Sequence, residues 1–121
     1  MKPELIVASL FWEPNQESFA FSRMYDESWV EKLYRGFERN LSVPWKFVLY
    51  TDREREYAHP IEQAIMRNPN PGYADCIEPY EMNKPMILVG LDTVVTGDCD
   101  ELAEWCLEGN PLALPRDPYA P

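Results

Sequence analysis

Apolar residues along this chain are concentrated in short runs that are separated by polar, proline-containing segments. Three such runs occupy residues 5–10, 45–50 and 86–91, and a shorter one occupies residues 112–114. Short apolar runs without strict alternation are typical of strands that are covered on both faces of a parallel sheet. The pattern therefore predicts three buried parallel strands and a short final strand.

A helical spacing of apolar residues follows the first run. Ser28 and Glu31 have the S-x-x-E spacing of a capping box, which predicts a helix that begins at Ser28. The apolar positions that follow recur at helical intervals: Val30, Leu33, Tyr34, Phe37 and Leu41. A second capping signal, Asp98 with Glu101, predicts a helix that ends at residues 109–111. Strand, helix and strand in this order predict a right-handed βαβ unit.

Three segments have a less regular pattern. Residues 11–26 carry aromatic side chains without a clear period, which predicts a long ordered loop. Residues 59–66 are compatible with either a short edge strand or a helical turn, and residues 73–80 predict a short irregular helix interrupted by Pro79. No repeat or linker divides the chain. We therefore predict one domain over residues 1–121, an α/β fold with a mostly parallel sheet flanked by helices.

Composition and charge narrow the class of protein. Hydrophobic residues make up 45% of the chain and charged residues 26%, as in soluble globular proteins. The formal charge of -10 repels nucleic acid and anionic membranes, so we expect neither as a partner. The first apolar run is too short for a transmembrane segment or a signal sequence. Three cysteines without a C-x-x-C pair predict a reduced, cytoplasmic protein.

The segment ILVGLDTVVTGDCDEL at residues 87–102 resembles the strand and loop of GT-A type glycosyltransferases. In that family an apolar strand ends in a D-x-D motif, which is followed by an apolar pair, Gly-Asp and a helix that contains leucine. Residues 34–41 (YRGFERNL) and 47–52 (FVLYTD) are similar to the family's first helix and second strand, and residues 112–117 (LALPRD) are similar to the strand that follows. The matching segments occur in the family's order and cover most of the chain.

The resemblance implies a Rossmann-like, nucleotide-diphospho-sugar transferase fold that is incomplete at its C-terminus. It implies a hexosyltransferase that moves a sugar from a nucleotide diphosphate donor, of the uridine type, to an unknown acceptor. Because such a half domain leaves part of its sheet exposed, a homo-oligomer that covers the sheet is a further expectation. The alternative is a non-catalytic nucleotide-sugar-binding or structural module that has kept the fold with a degenerate site.

The D-x-D motif is degenerate in this chain. Alternate residues at a strand end point to one side, where two carboxylates can hold Mg²⁺ or Mn²⁺ against a diphosphate. Here the first aspartate is replaced, which leaves Gly90-Leu91-Asp92. Asp92 is the predicted metal ligand, since Mg²⁺ can be held by one carboxylate together with substrate phosphates and water. Gly90 would let the nucleotide approach the backbone closely. The simpler interpretation makes Asp92 a turn former at the end of a strand.

The resemblance also implies further donor-binding positions. Ala8, Ser9 and Leu10, at the end of the first strand, are expected to contact the base and ribose, with Thr51 and Asp52 nearby. The remaining predicted donor-binding residues are Gly90, Leu91, Asp92, Arg116 and Asp117. The alternative for Thr51 and Asp52 is a simple turn, and for Arg116 and Asp117 a surface ion pair. His59, the only histidine, is interpreted as an exposed turn residue. The chain contains no P-loop, G-x-G-x-x-G or Ser-His-Asp pattern.

Overall fold

The fold is an all-parallel sheet with helices packed on it. The computed structural model describes residues 4–13, 15 and 25–109. Its elements, in chain order, are β1 (Leu5–Phe11), α1 (Glu27–Asn40), β2 (Trp45–Thr51), β3 (Ile61–Ile65), a 3₁₀ helix (Tyr73–Met82), β4 (Met86–Leu88) and α2 (Asp100–Leu107). The four strands are parallel and lie in the order β3-β2-β1-β4. The predicted α/β class with a parallel sheet and flanking helices is confirmed for these residues.

Both faces of the sheet are apolar, which explains why β1 and β2 are uninterrupted apolar runs. Leu5 and Val7 point to the face that packs against α1 and α2, here called the helix face. Ile6 and Ala8 point to the opposite face, here called the second face, where the 3₁₀ helix contributes Met82. Each fully buried side chain of this size stabilises the fold by about 1.5–3 kcal/mol. Within the described ranges, no helix combines the length and apolar character that crossing a membrane requires.

Helix α1 forms where it is predicted, but the predicted capping box is wrong. The N-cap residue is Asp26, whose carboxylate accepts a hydrogen bond from the Ser28 amide at 2.9 Å. The Glu31 carboxylate instead accepts a hydrogen bond from the Ala58 amide at 3.0 Å and lies 2.5 Å from Nδ1 of His59. The His59 ring also stacks on Tyr34, with centroids 4.8 Å apart. His59 is therefore a half-buried residue that joins the connection between β2 and β3 to α1.

The ambiguous segment is an edge strand. β3 (Ile61–Ile65) pairs with β2 in parallel, and the connection that leads to it runs beside α1 instead of forming a helix of its own. The predicted irregular helix is a 3₁₀ helix that contains Pro79 and extends to Met82, two residues beyond the predicted end. Glu78 and Glu81 of this helix both pair with Arg67, which follows β3.

Strand β4 is shorter than predicted. Its ladder with β1 covers Met86–Leu88, and the Val89 amide still donates to the Ala8 carbonyl at 3.0 Å. The chain then turns, because the Thr93 amide closes on the Gly90 carbonyl at 3.1 Å and the Leu91 side chain enters the helix-face core. β4 is an edge strand of the described sheet instead of a central one. The predicted strand at residues 112–114 lies outside the described residues.

Candidate functional site

The strand order reverses at one defined place in the sheet. The chain runs from β1 to β2 to β3 in one direction across the sheet, and β4 then lies on the other side of β1. In open α/β sheets, ligand crevices form outside the carboxyl ends of the two strands at which the order reverses. In this protein those strands are β1 and β4. The predicted donor-binding residues 8–10 and 90–92 lie at or next to these two strand ends.

Asp92 is exposed in the turn that follows β4. Its carboxylate lies near the phenol of Tyr25, the residue before the N-cap of α1. Partial burial raises the pKa of Tyr25, and the negative charge of Asp92 raises this pKa further. The Tyr25 ring packs edge-on against Trp29, with centroids 5.3 Å apart. The carboxylate thus faces solvent on one side and an aromatic pair from α1 on the other.

Gly90 lies beside the Asp92 carboxylate. A Cβ atom built on Gly90 would be 3.3 Å from Oδ1 of Asp92. Gly90 does not have a positive φ, so an L-residue can adopt the same backbone conformation. The two positions of the degenerate D-x-D are therefore neighbours on one side of the chain. An aspartate at position 90 would place a second carboxylate next to that of Asp92.

A glycine in α1 helps to position this turn. The sequence around Gly36 belongs to the segment that resembles the family's first helix, but its role is not evident from the pattern. A Cβ at Gly36 would lie 3.2 Å from the side chain of Val95, which is tighter than an ordinary contact. Because Gly36 has no side chain, the loop between β4 and α2 packs directly on the backbone of α1.

The predicted base-contacting residues on β1 are mostly enclosed. Ala8 and Ser9 are both 0% exposed. The Ser9 hydroxyl donates a hydrogen bond to the Val89 carbonyl at 2.8 Å, which holds the end of β4 against β1. Leu10 is half-buried and contacts the core of the second face, while Leu91 is buried in the helix-face core. Ser9 and Leu91 are therefore buried in contacts that hold the fold, whereas Leu10 stays partly accessible.

Asp52 lies at the carboxyl end of β2, separated from Asp92 by β1. Its carboxylate accepts a hydrogen bond from the Glu13 amide at 3.1 Å and forms an ion pair with Nη1 of Arg55, which is 2.8 Å away. Partial burial acts to raise the pKa of Asp52, but the Glu13 amide and the Arg55 guanidinium outweigh it, so the pKa is lowered. Thr51 is fully buried and its hydroxyl accepts a hydrogen bond from Arg55. Thr51 and Asp52 therefore do not form a simple turn, because both side chains bind Arg55.

Arg55 is the centre of an ionic cluster that the sequence did not reveal. Its side chain is only 4% exposed, and it pairs with Asp52, with Glu27 at 3.2 Å and with Glu13 at 3.6 Å. The guanidinium also lies 4.5 Å from the centre of the Phe11 ring. We call Glu13, Glu27, Asp52 and Arg55 the Arg55 cluster. It connects the ends of β1 and β2 to the first turn of α1, and its only sequence signal is the i, i+3 spacing of Asp52 and Arg55.

Two polar atoms beside this cluster are buried without a hydrogen-bond partner: Nη2 of Arg55 and the hydroxyl of Tyr57. Burial is the main cause that raises the pKa of Tyr57 to about 12, so the phenol keeps its proton. Both groups can donate a hydrogen bond to a water molecule or to another oxygen acceptor.

No group of three or more His, Cys, Asp or Glu side chains converges in a metal-binding arrangement within the part of the chain that the structure describes. Arg116 and Asp117 lie outside the described residues. The structure brings Gly90 and Asp92 together at the crevice and keeps Asp52 on the far side of β1.

Comparison with protein-family models, with curated proteins and with solved structures finds no match for this chain.

Proposed function

We propose that this chain binds a nucleotide diphosphate sugar at the carboxyl edge of its sheet, as the donor-binding domain of a glycosyltransferase. The transferred group would be a hexose and the nucleotide of the uridine type, in keeping with the resemblance of residues 87–102 to the GT-A family. The proposed partners are thus the nucleotide-sugar donor and an acceptor.

One observation carries the proposal: an exposed carboxylate, Asp92, just beyond the carboxyl end of β4, where the strand order reverses. Ligands of open parallel sheets bind outside the carboxyl ends of the strands at the point where the strand order reverses. A carboxylate at that point suits a ligand whose phosphates are accompanied by a divalent cation, since the cation bridges the two negative groups. Such a bridge would offset the repulsion between a diphosphate and a chain with a formal charge of -10.

The residues present fit a weakly held divalent cation. Asp92 would supply one oxygen ligand to Mg²⁺ or Mn²⁺, and Gly90 leaves space beside it, since only the Asp92 carboxylate lies within contact distance of a Cβ at that position. Such a cation supplies charge neutralisation for the leaving diphosphate. The Asp92 carboxylate lies near the Tyr25 phenol, and the Ser9 hydroxyl bonds the end of β4 to β1. The Arg55 cluster keeps the loop after β1 close to β2.

A binding module without transferase activity is the second candidate. It is favoured by the replacement of the first D-x-D aspartate by Gly90. Such a module would bind a nucleotide sugar with the same affinity in the presence and absence of a divalent cation. The two candidates therefore differ in a measurable quantity.

The test is isothermal titration calorimetry with uridine diphosphate sugars in Mn²⁺ and, separately, in a chelator. The proposal expects Mn²⁺ to strengthen binding, and Asp92→Asn to weaken binding in Mn²⁺ by about tenfold, the loss of one charge-assisted interaction. Glu4→Gln is the matched control, because it removes one exposed carboxylate at the opposite, amino edge of the sheet. Metal-independent binding that Asp92→Asn leaves unchanged would favour the module, and absence of binding to any nucleotide sugar would refute both candidates.

A further inference from the structure

Strand β3 leaves one side of the sheet open. It pairs with β2 along Ile61–Ile65 and has no second strand neighbour among the described residues. Open strand edges expose unpaired amides and carbonyls, and proteins usually block them with charges, prolines or bulges. Within β3 the only charged residue is Glu62, and its carboxylate is already paired with Lys46 at 3.4 Å. The edge is therefore available for pairing.

The backbone groups that face outward from β3 can be identified from its pairing with β2. The Met66 amide donates to the Thr51 carbonyl at 2.8 Å, so Met66 points towards β2. Because the amide and carbonyl of one strand residue point to the same side and successive residues alternate, Ala64 also points towards β2. Ile61, Gln63 and Ile65 therefore direct their backbone groups away from β2, and of these the Ile61 amide already donates to the His59 carbonyl at 2.8 Å.

We propose that β3 of a second copy of this chain pairs with this edge in antiparallel orientation, with a two-fold axis at Gln63. In an antiparallel pair, directly opposed residues whose backbone groups face each other exchange two hydrogen bonds. Gln63 of each copy would exchange both bonds with its counterpart. The Gln63 side chain does not interfere, since it is held inside the fold by hydrogen bonds to the backbone of Arg55. The result is one continuous sheet across two copies.

The order of side chains along β3 suits this symmetric pairing. With Gln63 on the axis, Ile61 is opposite Ile65 of the second copy, and Glu62 is opposite Ala64 of the second copy. Two apolar pairs form, and Ile65, which is 54% exposed in a single copy, becomes covered. No two like charges are directly opposed. The two Glu62 carboxylates are diagonal neighbours, and each has its own Lys46.

A five-residue strand makes a small interface, so the dimer forms in a concentration-dependent manner. A dimer of this kind is independent of the proposed donor site, because β3 lies at the opposite edge of the sheet from β4. A failure of the pairing proposal would leave the donor site untouched, and loss of nucleotide-sugar binding would leave the pairing proposal standing.

The first test uses two substitutions at one position. Ala64→Lys places a cation opposite Glu62 of the second copy, twice per dimer, and Ala64→Glu places an anion there. Sedimentation equilibrium should show that the dissociation constant of the dimer falls for Ala64→Lys and rises for Ala64→Glu, by about 2- to 30-fold in each direction. Both variants add a long charged side chain at the same half-buried site. Circular dichroism of both variants shows whether the fold is retained.

The second test is hydrogen exchange of the unmodified chain at several concentrations. The amides of Gln63 and Ile65 should exchange more slowly as the concentration rises, since they become bonded in the dimer. The Met66 amide is the internal control, because it is bonded to Thr51 within each copy and its exchange should not respond. A chain that remains monomeric at millimolar concentration, Gln63 exchange that is independent of concentration, or identical dissociation constants for the two Ala64 variants would overturn the proposal.

Discussion

Replacing Arg55 by methionine should destabilise the fold by about 3 kcal/mol. The substitution keeps the apolar stem of the side chain and removes the guanidinium that binds Asp52, Glu27 and Glu13. The largest loss is at Asp52, whose side chain is only 14% exposed and which would be left as a partly buried carboxylate without a counter-ion. Removal of one partner of a buried pair typically costs about 3–5 kcal/mol.

The structure sets the expected value at the lower end of that range. The carboxylates of Glu27 and Glu13 are 47% and 53% exposed, so water can solvate both once Arg55 is gone. Asp52 also keeps its hydrogen bond from the Glu13 amide. The loss of the contact between the guanidinium and Phe11 adds a smaller cost of about 0.5–1 kcal/mol, part of which the methionine side chain restores.

Urea unfolding followed by circular dichroism measures this loss as a fall in the transition midpoint at unchanged slope. The matched control is Arg53→Met, because Arg53 pairs with Glu13 at the surface, with its side chain 59% exposed. An exposed pair of this kind contributes about 0–1 kcal/mol. Adding Asp52→Asn to Arg55→Met should recover part of the lost unfolding free energy, because it removes the Asp52 carboxylate that has no counter-ion in the single variant. A loss below about 1 kcal/mol for Arg55→Met, equal to that of the control, would refute the argument that burial makes this cluster stabilising.

Three further predictions follow from the same geometry. The pKa of Asp52 is lowered from 3.8, so its contribution to stability is present above that pH and is lost as the pH falls through the folded-state pKa. Asp52→Asn should therefore reduce the loss of unfolding free energy at acid pH, measured by urea unfolding between about pH 2 and pH 6. Gly90→Asp should raise the affinity of the chain for Mn²⁺ alone by about tenfold or more in calorimetry, because the new side chain begins 3.3 Å from Oδ1 of Asp92. An unchanged affinity would contradict the placement of positions 90 and 92 side by side. Ser9→Ala should destabilise the fold by about 1 kcal/mol, since the Val89 carbonyl loses its hydrogen bond; an unchanged unfolding midpoint would show that this bond does not hold β4.

The elements that the sequence predicted well are those with a strong local signal. β1, β2 and α1 were predicted within about two residues, because uninterrupted apolar runs and helical spacing each correspond to one backbone geometry. The capping of α1 was predicted wrongly for a tertiary reason. Glu31 has the correct spacing for a capping box, but the connection after β2 brings Ala58 and His59 within hydrogen-bonding distance of its carboxylate.

The candidate site was only partly predictable. Asp92 and Gly90 were recognisable because they follow an apolar run, and their position at a strand end is a local property. The burial of Ala8 and Ser9 could not be recognised in the sequence, because it depends on the strands on both sides of β1. The burial of Arg55 could not be predicted either, because it depends on residues up to 42 positions away, such as Glu13.

The sequence by itself determined which segments become strands and helices, because periodicity and capping act between near neighbours along the chain. Only the tertiary structure decided the order β3-β2-β1-β4, and with it the position of the crevice and the open edge of the sheet. It also decided where β4 ends, since the turn at Gly90 depends on the bonds that Ala8 and Ser9 make to Val89. These features depend on contacts between residues distant in sequence, which no local pattern specifies.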